Sequence, residues 1–123
     1  MILGKVNAFK QAVIPLSLHD SNGRAENVDA VIDTGFDGLL TVSSDLVSRL
    51  QLPFLETRSY ELGDGNPVNL DIHRITVIWD GQDRDIEALV THSGVLVGMS
   101  MLTGYTLFID AIDGGAVRIE PRT

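Results

Sequence analysis

The sequence has no cysteine and no long hydrophobic run. The absence of cysteine excludes disulfides and thiolate metal sites, although it does not report the redox compartment. No window approaches the roughly 18 apolar residues of a membrane span. The N-terminal segment MILGKVNAF is too short and too mixed to be a secretory signal. We therefore expect a cytoplasmic protein with no membrane partner.

Basic residues are also scarce, with nine Lys and Arg against 17 Asp and Glu and a formal net charge of -8. The bases are scattered along the chain, and a strongly acidic protein repels the phosphates of nucleic acids. We therefore expect no nucleic-acid partner. The acidity by itself indicates solubility and does not point to a function.

What the sequence does have is short apolar runs separated by turns, in a chain whose 123 residues suit one domain spanning 1–123. One convincing helix is predicted in SSDLVSRLQ, before Pro53, and a helical turn is expected over 99–103. Because the remaining elements are strands and hairpins, we expect an all-β fold, either a closed barrel or a small sandwich. The strands are predicted near 11–19, 27–33, 39–42, 75–79, 86–90, 106–109 and 117–120, with turns at 20–23 and 63–66.

Several familiar motifs are absent or incomplete. His19, His73 and His92 lack the spacing of a metal site. GMSML lacks the second glycine of a serine-hydrolase elbow, and LGDGNP lacks the glycine spacing of a dinucleotide site. We therefore expect neither a metal nor a cofactor.

Asp33 is unusual because it follows an apolar strand in the stretch AVIDTGFDGLLTVS. An unpaired carboxylate is costly to bury, so its position needs a reason. The simplest reason is a turn, since Asp, Thr and Gly are all common in turns and a D-T-G tripeptide can arise by chance.

Four landmarks in order resemble the retropepsin-like aspartic protease family, in its bacterial-type single-domain form. They are Asp33-Thr34-Gly35, Gly63-Asp64-Gly65, Leu96-Val97-Gly98 and the segment SMLTGYTLFI. The resemblance implies a retropepsin-like closed barrel, in which a hairpin from about Tyr60 to Leu70 forms a flap over a bound peptide. It covers nearly the whole chain.

The family's chemistry implies a homodimer that hydrolyses peptide bonds, because the mechanism uses two carboxylates and this chain has one D-T-G. Asp33 of each copy would be catalytic, and Thr34 and Gly35 would support the site. The same resemblance implies substrate contacts from the five remaining positions, which are Phe36, Asp37, Gly63, Asp64 and Gly65.

The sequence departs from the viral pattern at three positions. Phe36 stands where a small residue is usual, Met99 occupies an arginine position, and Ser100 replaces an Asn or Asp. Two other interpretations therefore stay open. The protein could be an inactive dimer that binds peptides or serves assembly, or a structural β-barrel in which the tripeptide is fortuitous.

Overall fold

Tight turns divide the chain into strands, and the computed structural model describes residues 1–20, 22–61 and 64–123. The described residues form ten strands and two short helices. No helix in these ranges is long and apolar enough to cross a membrane. The elements are β1 (Ile2–Val6), β2 (Ala12–His19), β3 (Ala25–Ile32), β4 (Leu40–Val42), α1 (Ser44–Leu50), β5 (Phe54–Glu61), β6 (Pro67–Trp79), β7 (Gln82–Val90), β8 (Leu96–Val97), α2 (Met99–Leu102), β9 (Tyr105–Ile109) and β10 (Ala116–Pro121).

The sheet closes on itself through the long strand β6. One edge of β6 pairs first with β5 and then with β2, where Leu18 lies opposite Val77. The strands β2, β3, β8, β4, β7 and β6 thereby form a ring in which each strand pairs with the next. This closure confirms the predicted all-β closed barrel. The pairs β3–β8 and β4–β7 are parallel, whereas the predicted hairpins are antiparallel.

The core lies inside this ring and follows the alternation of the strands. In β2, every second side chain from Ala12 to Leu18 is buried, as expected for a strand with one face toward the core. Trp79 ends β6 inside the core, with its ring edge-on to Tyr105 at 5.9 Å between centroids. Burying an aliphatic or aromatic side chain of this kind contributes about 1.5–3 kcal/mol, so these strands hold the barrel together.

The first strand, β1, was not predicted from the sequence. It pairs with β2 on one side and with β10 on the other, where Ile2 lies opposite Ile119. Gly4 permits this packing, because a Cβ there would lie 2.0 Å from the carbonyl oxygen of Val13. At the predicted turn after β2, Asp20 and Gly23 are described, and Ser21 lies outside the described residues.

Thr41 is a buried polar side chain at the centre of β4 and is 3% exposed. Its Oγ1 donates to the carbonyl oxygen of Gly94 at 2.7 Å and accepts from the backbone N–H of Leu96 at 3.0 Å. One hydroxyl therefore ties β4 to the segment that leads into β8.

We predict that Thr41→Val lowers the free energy of unfolding by about 1–3 kcal/mol, because it leaves two partly buried backbone groups, the Gly94 carbonyl and the Leu96 N–H, without their partner. Thr57→Val is the matched control, since Thr57 is exposed and its hydroxyl donates to Asp71 at 2.9 Å. It should change stability by less than about 0.5 kcal/mol. Urea denaturation measures both, and equal losses in the two variants would contradict the role of Thr41.

Candidate active site

Asp33 is the first residue after β3, a strand held between two neighbours. β3 pairs with β2 on one side and runs parallel to β8 on the other. The N–H of Val31 donates to the carbonyl oxygen of Val95 at 3.0 Å, and the N–H of Asp33 donates to that of Val97 at 2.9 Å. Ile32 is buried and Asp33 is half-buried. The carboxylate therefore emerges from the barrel at a fixed point.

A tight turn then orients the Asp33 side chain. The N–H of Gly35 donates to Asp33 Oδ1 at 3.0 Å, and the N–H of Phe36 donates to the Asp33 carbonyl oxygen at 3.2 Å. A Cβ on Gly35 would lie 3.3 Å from the same Oδ1. Thr34 and Gly35 are exposed, so the D-T-G triplet presents an oriented carboxylate at the surface.

The segment after β8 holds this turn in place. Three of its N–H groups, from Gly98, Met99 and Ser100, donate to carbonyl oxygens of the Asp33 loop at 2.8–3.1 Å, and the Ser100 hydroxyl donates to the carbonyl of Asp37. The two segments are far apart in sequence, and the pairing of β3 with β8 places them together. The loop therefore has a second anchor besides the strand.

Phe36 lies half-buried within the loop. Its ring lies over Gly38 and Gly98: a Cβ at Gly38 would approach its Cζ to 2.5 Å, and one at Gly98 would approach its Cδ2 to 2.6 Å. Asp37 beside it is exposed. The structure thus brings Asp33, Thr34, Gly35, Phe36 and Asp37 together in one loop, with the Phe36 ring packed against glycines of that loop and of the following β8 segment.

The β5–β6 hairpin carries the other predicted site residues. Gly63 lies outside the described residues, Asp64 and Gly65 are exposed, and Gly65 has a φ of +80°. The backbone N–H of Asn66 donates to Asp64 Oδ1 at 2.9 Å, and this hydrogen bond holds the pKa of that carboxyl below its ordinary value.

Part of β5 lies beside the Asp33 loop. Arg58 and Tyr60 of β5 line a cavity of about 220 Å³ together with Gly38, Leu39 and Ser100. Arg58 is held there by ion pairs with Glu56 and, at 3.0 Å, with Glu87. The hydrogen bond to Glu56 is the main cause that raises the pKa of Arg58 above its ordinary value. The hairpin is therefore attached beside the site.

A larger cavity of about 750 Å³ opens next to Asp33 and Thr34. Besides residues of β3 and β8, its walls come mainly from two segments that the sequence did not assign to a site, the 7–11 turn and the 109–113 loop. Neither segment carries a recognisable motif, and only the pairing of β1 with β2 and β10 brings both to the D-T-G loop. In the sequence, the one feature that could have pointed to the 7–11 turn is the polar segment NAFKQ with an aromatic residue at its centre.

No family model matches the sequence, and no curated protein matches it. Among solved structures, the chain is similar to the crystal structure of a retropepsin-like aspartic protease from Rickettsia conorii. The TM-score is 0.60 with 13% identity, over 98% of this chain and 91% of that one. It is also similar to the solution structure of the Simian Foamy Virus (mac) protease, with a TM-score of 0.50 and 18% identity over 72% and 90% of the two chains.

These likenesses establish the fold. The chain has a retropepsin-like fold, as the four ordered landmarks predicted. One of these solved structures is described as a retropepsin-like aspartic protease and the other as a protease. At identities of 13% and 18%, the activity of this chain has to be argued from its own residues.

We predict that Gly98→Ala lowers the free energy of unfolding by about 3 kcal/mol or more, because the added Cβ cannot fit beside the loop. It would lie 2.2 Å from the Gly38 carbonyl oxygen. Gly35→Ala is the control, since its Cβ meets only Asp33 Oδ1, and it should change stability by less than about 1 kcal/mol. Thermal and urea unfolding measure both. A Gly98→Ala protein as stable as Gly35→Ala would show that the two segments are not closely packed.

Proposed function

We propose that the protein is an aspartic endopeptidase that works as a homodimer, with residues 1–123 forming one protease domain. The observation that carries the proposal is the Asp33 carboxylate. It follows the buried residue Ile32 at the end of β3, is oriented by the Gly35 N–H, and opens on a cavity in a retropepsin-like fold. A turn alone would not require this double anchoring of the loop by β3 and by the segment after β8.

The dimer follows from the chemistry. Activation of water by a carboxylate pair needs two acids about one water, and the chain contains one D-T-G. An isologous dimer supplies the second from an identical copy and places both on the twofold axis. Two carboxylates so close share one proton, because both cannot ionise at that distance.

In the proposed reaction, the ionised Asp33 takes a proton from the bound water while the water oxygen attacks the scissile carbonyl carbon. The protonated Asp33 of the second copy donates a hydrogen bond to the carbonyl oxygen, which gains the electron pair of the C=O bond. Collapse of the tetrahedral intermediate then breaks the C–N bond, and the leaving amine takes a proton from the pair. The carboxylates are regenerated sharing one proton.

The remaining site residues have supporting roles in this proposal. Thr34 is exposed beside Asp33, where its hydroxyl can hydrogen-bond across the twofold axis, and Gly35 allows close approach of the substrate backbone. The β5–β6 hairpin, with Gly63, Asp64 and Gly65 at its tip, would cover an extended peptide by strand-like pairing. Asp37 would contact the peptide beside the loop. Phe36 would contribute to this contact by packing inside the loop, against Gly38 and Gly98.

We predict that Asp33→Asn abolishes peptide cleavage, because an amide cannot accept the water proton. The variant should also act across the dimer. When equal amounts of wild-type and Asp33→Asn protein exchange subunits, about a quarter of the dimers keep both carboxylates. Cleavage per total dimer, measured with a peptide library at acid to neutral pH, should fall to that fraction of the wild-type value.

Asp83→Asn is the matched control, since Asp83 is an exposed carboxylate at the start of β7. Mixing it with wild type should leave cleavage unchanged. Cleavage that falls only to half with Asp33→Asn would mean that each copy acts alone. Binding of a statine peptide without any cleavage by the wild type would favour an inactive peptide-binding dimer.

A further inference from the structure

We propose that Phe9 of each copy inserts into the cavity beside Asp33 of the other copy, so that the 7–11 turn and the 109–113 loop form the dimer contact. This inference rests on the proposed homodimer and specifies the surface that builds it. It assigns a role to an exposed aromatic side chain that the barrel itself does not use.

Phe9 is the inserting residue because it is highly exposed and lies in the turn that lines the cavity. It is 83% exposed, the largest exposed fraction among the large hydrophobic side chains of the described residues. Its neighbours Ala8 and Lys10 both line the cavity beside Asp33, whereas Phe9 does not. The Phe9 side chain is therefore exposed at the edge of the cavity and is not part of its wall.

The cavity is suited to receive such a ring. Its volume is about 750 Å³, and apolar side chains form most of its wall, including Ala8, Ile109 and Ile112. An apolar cavity of about 150 Å³ already admits benzene, so a phenyl ring can occupy the end near Ile112 while the Asp33 end stays open. Ile112 is itself 69% exposed at this rim and would be covered in the same contact.

The turn that carries Phe9 is preorganised. Asn7 Oδ1 accepts from the N–H groups of Phe9 and Gln11, each at 3.0 Å, and the Asn7 N–H donates to the Gln11 carbonyl oxygen at 2.9 Å. The opposite loop is fixed to β1 by two hydrogen bonds. The Val6 N–H donates to the Gly115 carbonyl oxygen at 2.9 Å, and the Gly114 N–H donates to the Val6 carbonyl oxygen at 2.8 Å. Rigid partners lose less entropy when they associate.

The lining of this cavity carries both signs of charge, from Lys10 and from Asp33 and Asp113. Lys10 and Asp113 line the same cavity, and neither forms an ion pair with another described residue. A rim with one sign of charge would repel itself across a twofold axis, whereas a rim with both signs can pair with its own copy. This matters in a chain whose formal charge is -8.

The decisive experiment measures dimer dissociation by sedimentation velocity for wild type, Phe9→Ala and Ala8→Trp. Phe9→Ala removes the inserting ring, and Ala8→Trp fills the cavity while keeping Phe9. Each should raise the dissociation constant roughly 1000-fold, because two equivalent contacts are lost at about 30-fold each. An equimolar mixture of the two variants should form a heterodimer with one restored contact, tighter than either variant alone by about 30-fold.

Phe54→Ala is the matched control, since Phe54 is also exposed but lies on β5 against His73, and it should dissociate like wild type. The proposed contact would be overturned if Phe9→Ala had the dissociation constant of the wild type. It would also be overturned if the mixture of the two variants dimerised no more tightly than either variant alone. In that case the proposed function would stand if wild type dimerises and Asp33→Asn still lowers cleavage in mixed dimers. A wild type that stays monomeric would overturn both proposals.

Discussion

The parallel pairing of β3 with β8 is the constraint on which the rest of the site depends. Hydrogen bonds from Val31 and Asp33 to the carbonyls of Val95 and Val97 fix where the D-T-G triplet leaves the barrel. The same pairing delivers Gly98, Met99 and Ser100 to the back of the loop, where they bind its carbonyls. A strand of only two residues, β8, therefore positions both halves of the loop.

This arrangement explains how an aromatic residue is accommodated after the D-T-G triplet. Phe36 lies against Gly38 and Gly98, and neither position has room for a Cβ. The sequence departs from the viral pattern at Phe36, and two glycines make the space that the ring needs. Ser100, a second departure, still binds the loop through its hydroxyl and its N–H. For Met99, which is 47% exposed, the structure gives no comparable local substitute for an arginine.

Local patterns were sufficient to predict much of this molecule. The alternation in β2, the glycine turns and the Ser-Asp start of α1 each specify an element through neighbouring residues alone. The position of Asp33 directly after a strand was predictable for the same reason, since a charge after an apolar run is visible in the sequence. The β1 strand was not, because its mixed segment ILGKV acquires its role only when it lies between β2 and β10.

The cavity beside Asp33 was beyond sequence reasoning, because its walls come from turns about 20 and 80 residues away that only the closed topology brings together. The central claim is that two such sites meet on one axis. A crystal structure of the dimer with a bound peptide inhibitor tests it through the closest oxygen–oxygen distance between the two Asp33 carboxylates. We predict about 2.6–3.2 Å, the range of a shared proton, and a separation beyond roughly 6 Å, too wide for a single bridging water, would contradict the account.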